Sequence, residues 1–256
     1  MSNHKFGIIM IKMLCFIIVY NIPLQINCVE CSDLHGLNPR NSEKAVSLNE
    51  ETPDVIFQNS RGEGVAGGQL RYFDGVWKWG TPTGVTGHFV IDPNPEATEI
   101  TYELTYKNAT QTIENSPVHA TPVLFQTIQT LIQIVDSTGK SLPEEATNVK
   151  YGVDGEWFSF GSGKTTKCIA RMELLPGSYS FRLTYANATN TIQQDISENP
   201  RVLFKTVKTQ VQLRDSGGNP LEGTNIQIFS GGGWLPFGKT ATTGGNDSME
   251  LLPETY

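Results

Sequence analysis

The residues with the clearest chemical potential lie in FGSGKTTK, which runs from Phe160 to Lys167. Its Gly163-Lys164-Thr165 matches the end of a phosphate-binding loop, in which backbone amides and a lysine hold a nucleotide. Such a loop also needs a glycine five residues before the Gly-Lys pair, and then a helix whose N-terminus meets the phosphate. Phe158 stands at that glycine position, and a strand-like pattern follows the motif. We therefore predict a turn here and no nucleotide partner.

A second Gly-Lys-Thr, residues 238–240, satisfies the bare pattern because Gly233 stands five residues before its Gly-Lys pair. The setting argues against a nucleotide site, since Trp234, Pro236 and Phe237 crowd a loop whose amides would have to surround a phosphate. A turn with a Gly-Gly pair also follows where a helix should begin. We interpret Lys164 and Lys239 as solvated turn residues.

Other catalytic or metal-binding patterns are missing from the sequence. The four histidines do not recur at equivalent positions, and no zinc-ligand, nucleophile-elbow or paired-carboxylate spacing occurs. A calcium site at Asp136, Asp154 or Asp215 is conceivable, but Asp-Ser-x-Gly is a sequence that turns select through side-chain hydrogen bonds to the backbone. We predict no catalytic residue, no bound metal and no cofactor, and hence no enzyme.

Composition and the N-terminus indicate the compartment. The 256-residue chain has a net charge of −7, which argues against a nucleic-acid partner. Residues 1–31 contain a short apolar core that favours a cleaved secretory signal, with an uncleaved membrane anchor as the alternative. Residues 32–50 are predicted to be a linker. We expect a secreted or cell-surface protein with no membrane span in the mature chain, and its four cysteines form no disulfide framework.

An internal repeat organises the rest of the chain. LTYKNATQTI returns as LTYANATNTI, which places Tyr106 and Tyr185 79 residues apart, and PVLFQT returns as RVLFKT at the same spacing. Alternating apolar and polar residues, as in TIQTLIQIVD, indicate strands with one buried face. We predict an all-β fold of tandem antiparallel sandwiches: repeat 1 (51–127), repeat 2 (128–206) and repeat 3 (207–256). Repeat 3 lacks a counterpart of the LTYANATNTI hairpin and the RVLFKT strand. We therefore expect an incomplete sandwich in a piece of a longer protein, with donation of the missing strands by a partner chain as the alternative.

The order of turns in repeats 2 and 3 is similar to a known group of domains. A strand, Asp-x-x-Gly-x-Pro-Leu-x-Gly, a second strand, a Thr/Gly-rich turn and Leu-Leu-Pro occur in that order in VQLRDSGGNPLEGTNIQIF and its continuation. This order resembles prealbumin-like, Ig-like sandwich repeats, including the collagen-adhesin B-type and carboxypeptidase regulatory-like domains of secreted and surface proteins. The resemblance is carried by Asp215, Gly218, Pro220, Leu221 and Gly223, and by Leu174, Leu175, Pro176, Gly177 and Tyr179.

The resemblance implies a fold more than an activity. Some domains of this kind carry a lysine–asparagine isopeptide bond, but Val135 and Arg214 stand where the lysine would be expected, so we predict none. Glu173 and Glu250 occupy matching positions in the two ELLP segments. We interpret each as a glutamate at a strand edge before a turn.

The strongest candidates for ligand contact are the tryptophans beside glycine-rich turns, since an exposed aromatic face could stack on the C–H face of a sugar ring. We favour the interpretation that each tryptophan plugs the end of its own sandwich, because a packing role should recur with the fold. One of them, Trp79, differs from its counterparts in the other repeats, which are phenylalanines. The candidates are Trp77, Trp79, Trp157 and Trp234.

Three asparagines are candidate N-glycosylation acceptors if the host is a eukaryote: Asn108, Asn187 and Asn246. The first two occupy equivalent turns, so the repeat alone also accounts for them. From these patterns we predict a non-enzymatic structural or adhesion-like interaction module, with a carbohydrate-binding module as the alternative. The expected partner is an extracellular glycan or protein.

Overall fold

The computed structural model describes residues 55–82, 86–118, 122–238, 244–254 and 256. The predicted signal peptide and linker (1–50) lie outside the described residues, as does Lys239 of the second Gly-Lys-Thr. Within the described ranges every regular element is a β-strand. No helix there is long and apolar enough to cross a bilayer. The predicted all-β class is confirmed.

Repeat 1 forms two four-stranded sheets, with strand orders β4-β5-β1-β8 and β3-β2-β6-β7. Neighbouring strands are antiparallel except for β1 and β8, which pair in parallel. The strands are β1 (Val55–Gln58), β2 (Gln69–Phe73), β3 (Trp77–Trp79), β4 (Thr81–Pro82), β5 (His88–Val90), β6 (Glu99–Tyr106), β7 (Ala109–Pro117) and β8 (Val123–Gln126).

Repeat 2 reproduces this arrangement with a three-stranded sheet, β12-β9-β15, and a four-stranded sheet, β11-β10-β13-β14. Its first and last strands, β9 and β15, again pair in parallel. The strands are β9 (Ile128–Val135), β10 (Thr147–Val153), β11 (Glu156–Ser159), β12 (Ile169–Leu174), β13 (Ser178–Tyr185), β14 (Ala188–Asp195) and β15 (Arg201–Lys205).

Repeat 3 contributes two two-stranded sheets among the described residues, β16 with β19 and β17 with β18. Among the described residues, every sheet draws its strands from one predicted repeat. Thr127 and Thr206 are the single residues between the last strand of one repeat and the first of the next. The strands are β16 (Val207–Gln212), β17 (Gln227–Ser230), β18 (Gly233–Pro236) and β19 (Asn246–Leu251).

The cores follow the alternation read from the sequence. In β9, Thr130, Ile132 and Ile134 are buried between the two sheets of repeat 2. In β16 the same alternation is present, but its inward positions are only half-buried and Val207 is 52% exposed. Fewer strands cover β16 than cover β9 within the described part of the chain, because β19 is its one partner there. Burial in this fold therefore depends on a complete pair of sheets.

Candidate functional site: the joints between repeats and the exposed tryptophans

The first joint is centred on Glu173, which lies in β12 of repeat 2. Its carboxylate reaches back to repeat 1, where Oε1 accepts a hydrogen bond from the Ser60 hydroxyl at 2.6 Å and Oε2 accepts one from the Ser60 amide at 3.3 Å. Oε2 also accepts a hydrogen bond from the Thr127 hydroxyl at 2.6 Å. Thr127 lies between the two repeats, so one carboxylate binds the end of β1 and the connecting residue together.

The second joint repeats these contacts between repeats 2 and 3. Glu250 in β19 accepts hydrogen bonds from the Ser137 hydroxyl at 2.7 Å and from the Ser137 amide at 3.0 Å. The Thr206 hydroxyl donates to the same carboxylate at 2.6 Å. Serine and glutamate are 113 residues apart in both joints. The same set of contacts therefore recurs at both joints.

Both carboxylates are held in the charged form. Burial by itself raises the pKa of Glu173, but hydrogen bonds from Ser60 and Thr127 outweigh it, and the pKa lies below its usual value. The same balance applies to Glu250, where burial raises the pKa and hydrogen bonds from Thr206 and Ser137 bring it below the ordinary value. A charged acceptor makes these hydrogen bonds stronger than bonds between neutral groups.

An inserted leucine accompanies each carboxylate. Leu175, two residues after Glu173, is fully buried in the core of repeat 1 although it belongs to repeat 2. Leu252 occupies the corresponding place and is buried in the core of repeat 2. A tyrosine four residues later holds each leucine in place. The Tyr179 hydroxyl donates to the Leu175 carbonyl, and the Tyr256 hydroxyl donates to the Leu252 carbonyl, both at 2.8 Å. Each core is thus completed by the following repeat.

Hairpin turns add a second contact at each joint. The β6–β7 turn of repeat 1 consists of Lys107 and Asn108, both with positive φ. The carbonyl of Lys107 accepts a hydrogen bond from the Tyr151 hydroxyl of repeat 2 at 3.1 Å. At the second joint Asn187 packs against Gly231, where an added Cβ would lie 2.3 Å from the Asn187 carbonyl oxygen. A glycine is required there by close approach of two turns.

Sequence reasoning placed the two glutamates correctly at strand edges but missed their partners. Interpreting Glu173 and Glu250 as edge residues before a turn was wrong as an account of their role, because each carboxylate contacts the preceding repeat. The signal that could have revealed this is the constant separation of 113 residues from Ser60 and Ser137. A glutamate and a serine of the previous repeat that recur at the same separation indicate a contact between the two repeats.

The Gly-Lys-Thr segment of repeat 2 forms turns that lead into strand β12. Gly163 has a φ of 73°, and its amide donates to the Phe160 carbonyl at 3.0 Å. Thr165 is buried and its hydroxyl accepts a hydrogen bond from the Ala146 amide at 2.9 Å. Lys164 is exposed. The loop residues thus tie the β11–β12 connection to the β9–β10 connection, and a strand stands where a phosphate loop would need a helix.

The four tryptophans lie on the hairpin strands and point outward to different degrees. Trp79 and Trp234 are 69% and 66% exposed, Trp77 is 43% exposed, and Trp157 is half-buried. The interpretation that each tryptophan plugs its own sandwich is therefore wrong for the three exposed ones, because their rings contact solvent. Ligand stacking by any of the four remains a prediction.

Trp79 differs from its counterparts for a visible reason. Phe160 and Phe237, which match it in repeats 2 and 3, are buried at 0% and 2% exposure. A Cβ on the adjacent Gly80 would lie 2.8 Å from a methyl carbon of Leu70, so Leu70 packs against the backbone beside Trp79. The unusual residue type in the sequence therefore corresponds to a different side-chain position.

The aspartates considered for calcium are used by turns. Asp136 Oδ1 accepts hydrogen bonds from the amides of Thr138 and Lys140, each at 2.8 Å. Asp215 Oδ1 accepts from the amides of Gly217 and Asn219 at 2.9 and 2.8 Å. Asp154 is the first residue of the β10–β11 turn, with a φ of 51°. No group of three or more His, Cys, Asp or Glu side chains in the described residues could hold a metal ion.

The candidate glycosylation acceptors lie at exposed positions. Asn108 and Asn187 have φ values of 62° and 61° as the second residues of two equivalent two-residue hairpin turns. Asparagine tolerates this conformation, so the turn explains its presence. Asn246 begins β19, and its side-chain amide donates to the Gly244 carbonyl at 3.0 Å. Glycosylation of these residues remains a prediction.

No protein-family model matches the chain. No curated protein matches it. Among solved structures it is similar to the Bacillus anthracis TIE protein, with 15% identity, a TM-score of 0.24, and 78% of this chain and 43% of that chain covered. The chain thus spans less than half the length of that protein. It is also similar to a streptococcal ancillary pilin, with 11% identity, a TM-score of 0.24, and 78% and 86% of the two chains covered.

A third similar structure is the major pilin subunit of Bacillus cereus, with 10% identity, a TM-score of 0.19, and 78% of this chain and 84% of that chain covered. TM-scores this low carry no argument about this protein. Its fold and its sites rest on its own strands and contacts.

Proposed function

We propose that this chain is a non-enzymatic structural module of tandem sandwich repeats, secreted or displayed at a cell surface, whose joints hold neighbouring repeats in a fixed orientation. The observation that carries the proposal is the joint itself, which occurs twice with the same serine, threonine, glutamate and leucine. If the chain only had to connect binding domains, a flexible linker between repeats would be enough, and contacts of this kind would not be needed. The predicted signal peptide supports the extracellular location.

The joint restrains motion for three physical reasons. The carboxylate makes hydrogen bonds in fixed directions to the preceding repeat, which opposes rotation. The inserted Leu175 opposes separation, because withdrawing it would expose its side chain and leave a cavity in repeat 1. The β6–β7 hairpin adds a further contact that opposes bending: the Lys107 carbonyl accepts a hydrogen bond from Tyr151, and the Lys107 ammonium donates to the Glu173 carbonyl at 3.1 Å. Three different kinds of contact together favour one arrangement.

The test measures the spread of distances between repeats 1 and 2 in the full chain. Spin labels on exposed strand positions Arg71 and Arg171 would report this spread by double electron–electron resonance. We expect a single narrow distribution in the parent chain and a broad one when Glu173→Ala and Leu175→Ala are combined. A broad distribution in the parent chain would mean that the joint does not fix the orientation, and the proposal would then be abandoned.

Carbohydrate binding is the second candidate function. It is favoured by one specific observation, a groove on the outer face of repeat 2 that contains Trp157.

A further inference from the structure

The repeat 2 groove lies on the outer face of the four-stranded sheet and has a volume of about 460 Å³. Its floor is one row of directly paired residues, in which Trp157 pairs with Gly152, Gly152 with Ser180, and Ser180 with Gln193. Small residues occupy the two middle positions, so the tryptophan and the glutamine form the walls. Neighbouring strands lie about 4.8 Å apart, so four strands place the walls about 14 Å from each other.

The other repeats fill this place with a phenylalanine. Phe73 pairs with Trp77 in repeat 1, and Phe229 pairs with Trp234 in repeat 3, with ring centroids 5.4 Å apart in each pair. In repeat 2 the residue opposite the tryptophan is Gly152. A Cβ there would contact the Trp157 ring at 3.4 Å and Ser180 at 3.3 Å. The groove therefore exists because one aromatic residue of the repeat pattern has been replaced.

The Trp157 ring is held in place by a stacked cation. The guanidinium of Arg182 stacks on it at 4.2 Å from the ring centroid, yet Arg182 does not line the groove. The indole therefore presents its remaining surface to the groove in a fixed position. Holding an aromatic side chain in place before a ligand arrives lowers the entropy lost on binding.

The polar groups of the groove favour an uncharged, hydroxyl-rich ligand. Ser178 and Ser180 supply hydroxyls, Gln193 supplies an amide, and Asp154 and Asp195 supply carboxylates. These groups can both donate to and accept from hydroxyl groups. No lysine, arginine or histidine lines the groove, and the neighbouring Arg182 is stacked on the Trp157 ring, so an anionic sugar in the groove would meet two carboxylates.

The Trp79 groove of repeat 1 is a weaker candidate. It is lined by Leu70, Pro82 and Phe89, with Gln69 as its one polar side chain. Sugar hydroxyls buried there would lose water without finding partners, which is unfavourable. The repeat 2 groove combines an aromatic wall with the polar side chains of two serines, two aspartates and Gln193. We propose that it binds a neutral saccharide, with one ring packed against Trp157 and its hydroxyls bonded to the serines, Gln193 and Asp195.

This inference goes beyond the structural function. The residues proposed to contact the saccharide take no part in the joints, although Tyr179 both lines the groove and donates to the Leu175 carbonyl. The test uses the full chain labelled with ¹⁵N, in which each tryptophan gives one indole N–H signal. The probes are neutral tetrasaccharides of glucose, mannose and N-acetylglucosamine, with a tetragalacturonate as the anionic probe and a deacetylated glucosamine tetramer as the cationic probe. We expect saturable shifts of the Trp157 signal with at least one neutral tetrasaccharide.

The decisive variant is Gly152→Phe, which restores the tryptophan–phenylalanine pair that repeats 1 and 3 already accommodate. It should weaken binding about tenfold or more, since losing one contact of the strength of an aromatic pair corresponds to that factor. Gln193→Ala, at an exposed position, supplies a second variant that should also weaken binding while leaving the fold unchanged. Trp234→Ala is the matched control, and it should leave binding unchanged.

Three results would overturn the assignment. The first is that no neutral tetrasaccharide shifts the Trp157 signal at any concentration tested. The second is that Gly152→Phe binds as well as the parent chain, or that Trp79→Ala abolishes binding instead. The third is a response to the charged probes alone, which would indicate an ion-binding surface. Unchanged amide signals of residues away from the groove, in repeat 2 as well as in repeats 1 and 3, would show that each variant remains folded.

Discussion

Replacing Glu173 by alanine removes the centre of the first joint and should destabilise the contact between repeats 1 and 2. Three hydrogen bonds are lost, from the Ser60 amide, the Ser60 hydroxyl and the Thr127 hydroxyl. The free-energy cost of losing each hydrogen bond differs, because Ser60 is exposed while Thr127 is only 2% exposed. The magnitude can be worked out from that difference.

The groups of Ser60 can bond to water after the change, so each should contribute about 0.5 kcal/mol, the low end for a hydrogen bond in a protein. The hydroxyl of Thr127 has little access to water, and a buried donor without an acceptor costs about 1–3 kcal/mol. We therefore expect Glu173→Ala to lower the free energy of unfolding by about 2–4 kcal/mol. Glu173→Gln keeps one acceptor oxygen and should cost about 1 kcal/mol.

Two measurements check the value. Urea unfolding of the full chain gives the total loss, and hydrogen exchange of the Ser60 amide reports the joint locally. The local measurement is needed because several repeats need not unfold in a single step. The amide should exchange faster in Glu173→Ala, while amides in the cores of both repeats change less. Glu198→Ala, at an exposed position of the β14–β15 loop, is the matched control.

A change in stability for Glu173→Ala no larger than that for Glu198→Ala would refute the reasoning, provided that Ser60 exchange is also unchanged. Glu250→Ala offers an internal comparison. There the Thr206 hydroxyl has a second acceptor, the Val135 carbonyl at 3.2 Å, so removing the carboxylate should leave this hydroxyl hydrogen-bonded and cost less free energy of unfolding. If Glu250→Ala lowered the free energy of unfolding more than Glu173→Ala does, the explanation through unsatisfied hydroxyls would be wrong.

Three further predictions concern the joints and their turns. Because the pKa values of Glu173 and Glu250 are lowered in the fold, both joints should be at full strength above about pH 4.5 and should weaken as pH falls through the lowered values, which pH titration of the Ser60 and Ser137 amide signals would show. A titration midpoint at or above the ordinary glutamate value would contradict this. Leu175→Ala should cost about 2–5 kcal/mol and accelerate hydrogen exchange in β1 and β8 of repeat 1, although the residue belongs to repeat 2; an effect confined to repeat 2 would contradict it. Asn187→Ala should lower the free energy of unfolding by about 1 kcal/mol, and with it the thermal unfolding temperature, because alanine disfavours the positive φ of this position. Asn187→Gly should cause no such loss, since glycine adopts positive φ readily. Equal losses for both variants would mean that φ is not the cause.

Much of the fold could be predicted from local patterns. Alternation in TIQTLIQIVD correctly indicated the buried face of β9, since Thr130, Ile132 and Ile134 are all buried. The matching LTY–NAT segments correctly indicated equivalent hairpins, which are β6–β7 and β13–β14. These features depend on neighbours within one strand or one turn, so they are encoded locally.

The remaining features depend on residues that are distant in sequence. The parallel pairing of β1 with β8 joins segments more than 60 residues apart, and no local pattern specifies it. The repeat 2 groove depends on the cross-strand partner of Trp157, which is set by the register of β10 with β11. Tryptophan recurrence alone suggested packing, whereas the residue opposite the ring decides whether a surface is filled or open.

The joint also has a consequence for how such a protein can grow. Each repeat contributes the serine and threonine of one joint, and the next repeat contributes the glutamate and leucine, so the two halves differ and the contact has a direction. The carboxylate and leucine contacts could therefore form between any copy that carries the serine and threonine and any copy that follows it, whereas the hairpin contacts differ between the two joints. Duplication or deletion of one unit by unequal recombination would leave the carboxylate and leucine contacts available at each remaining junction, so the number of units could vary between related genes.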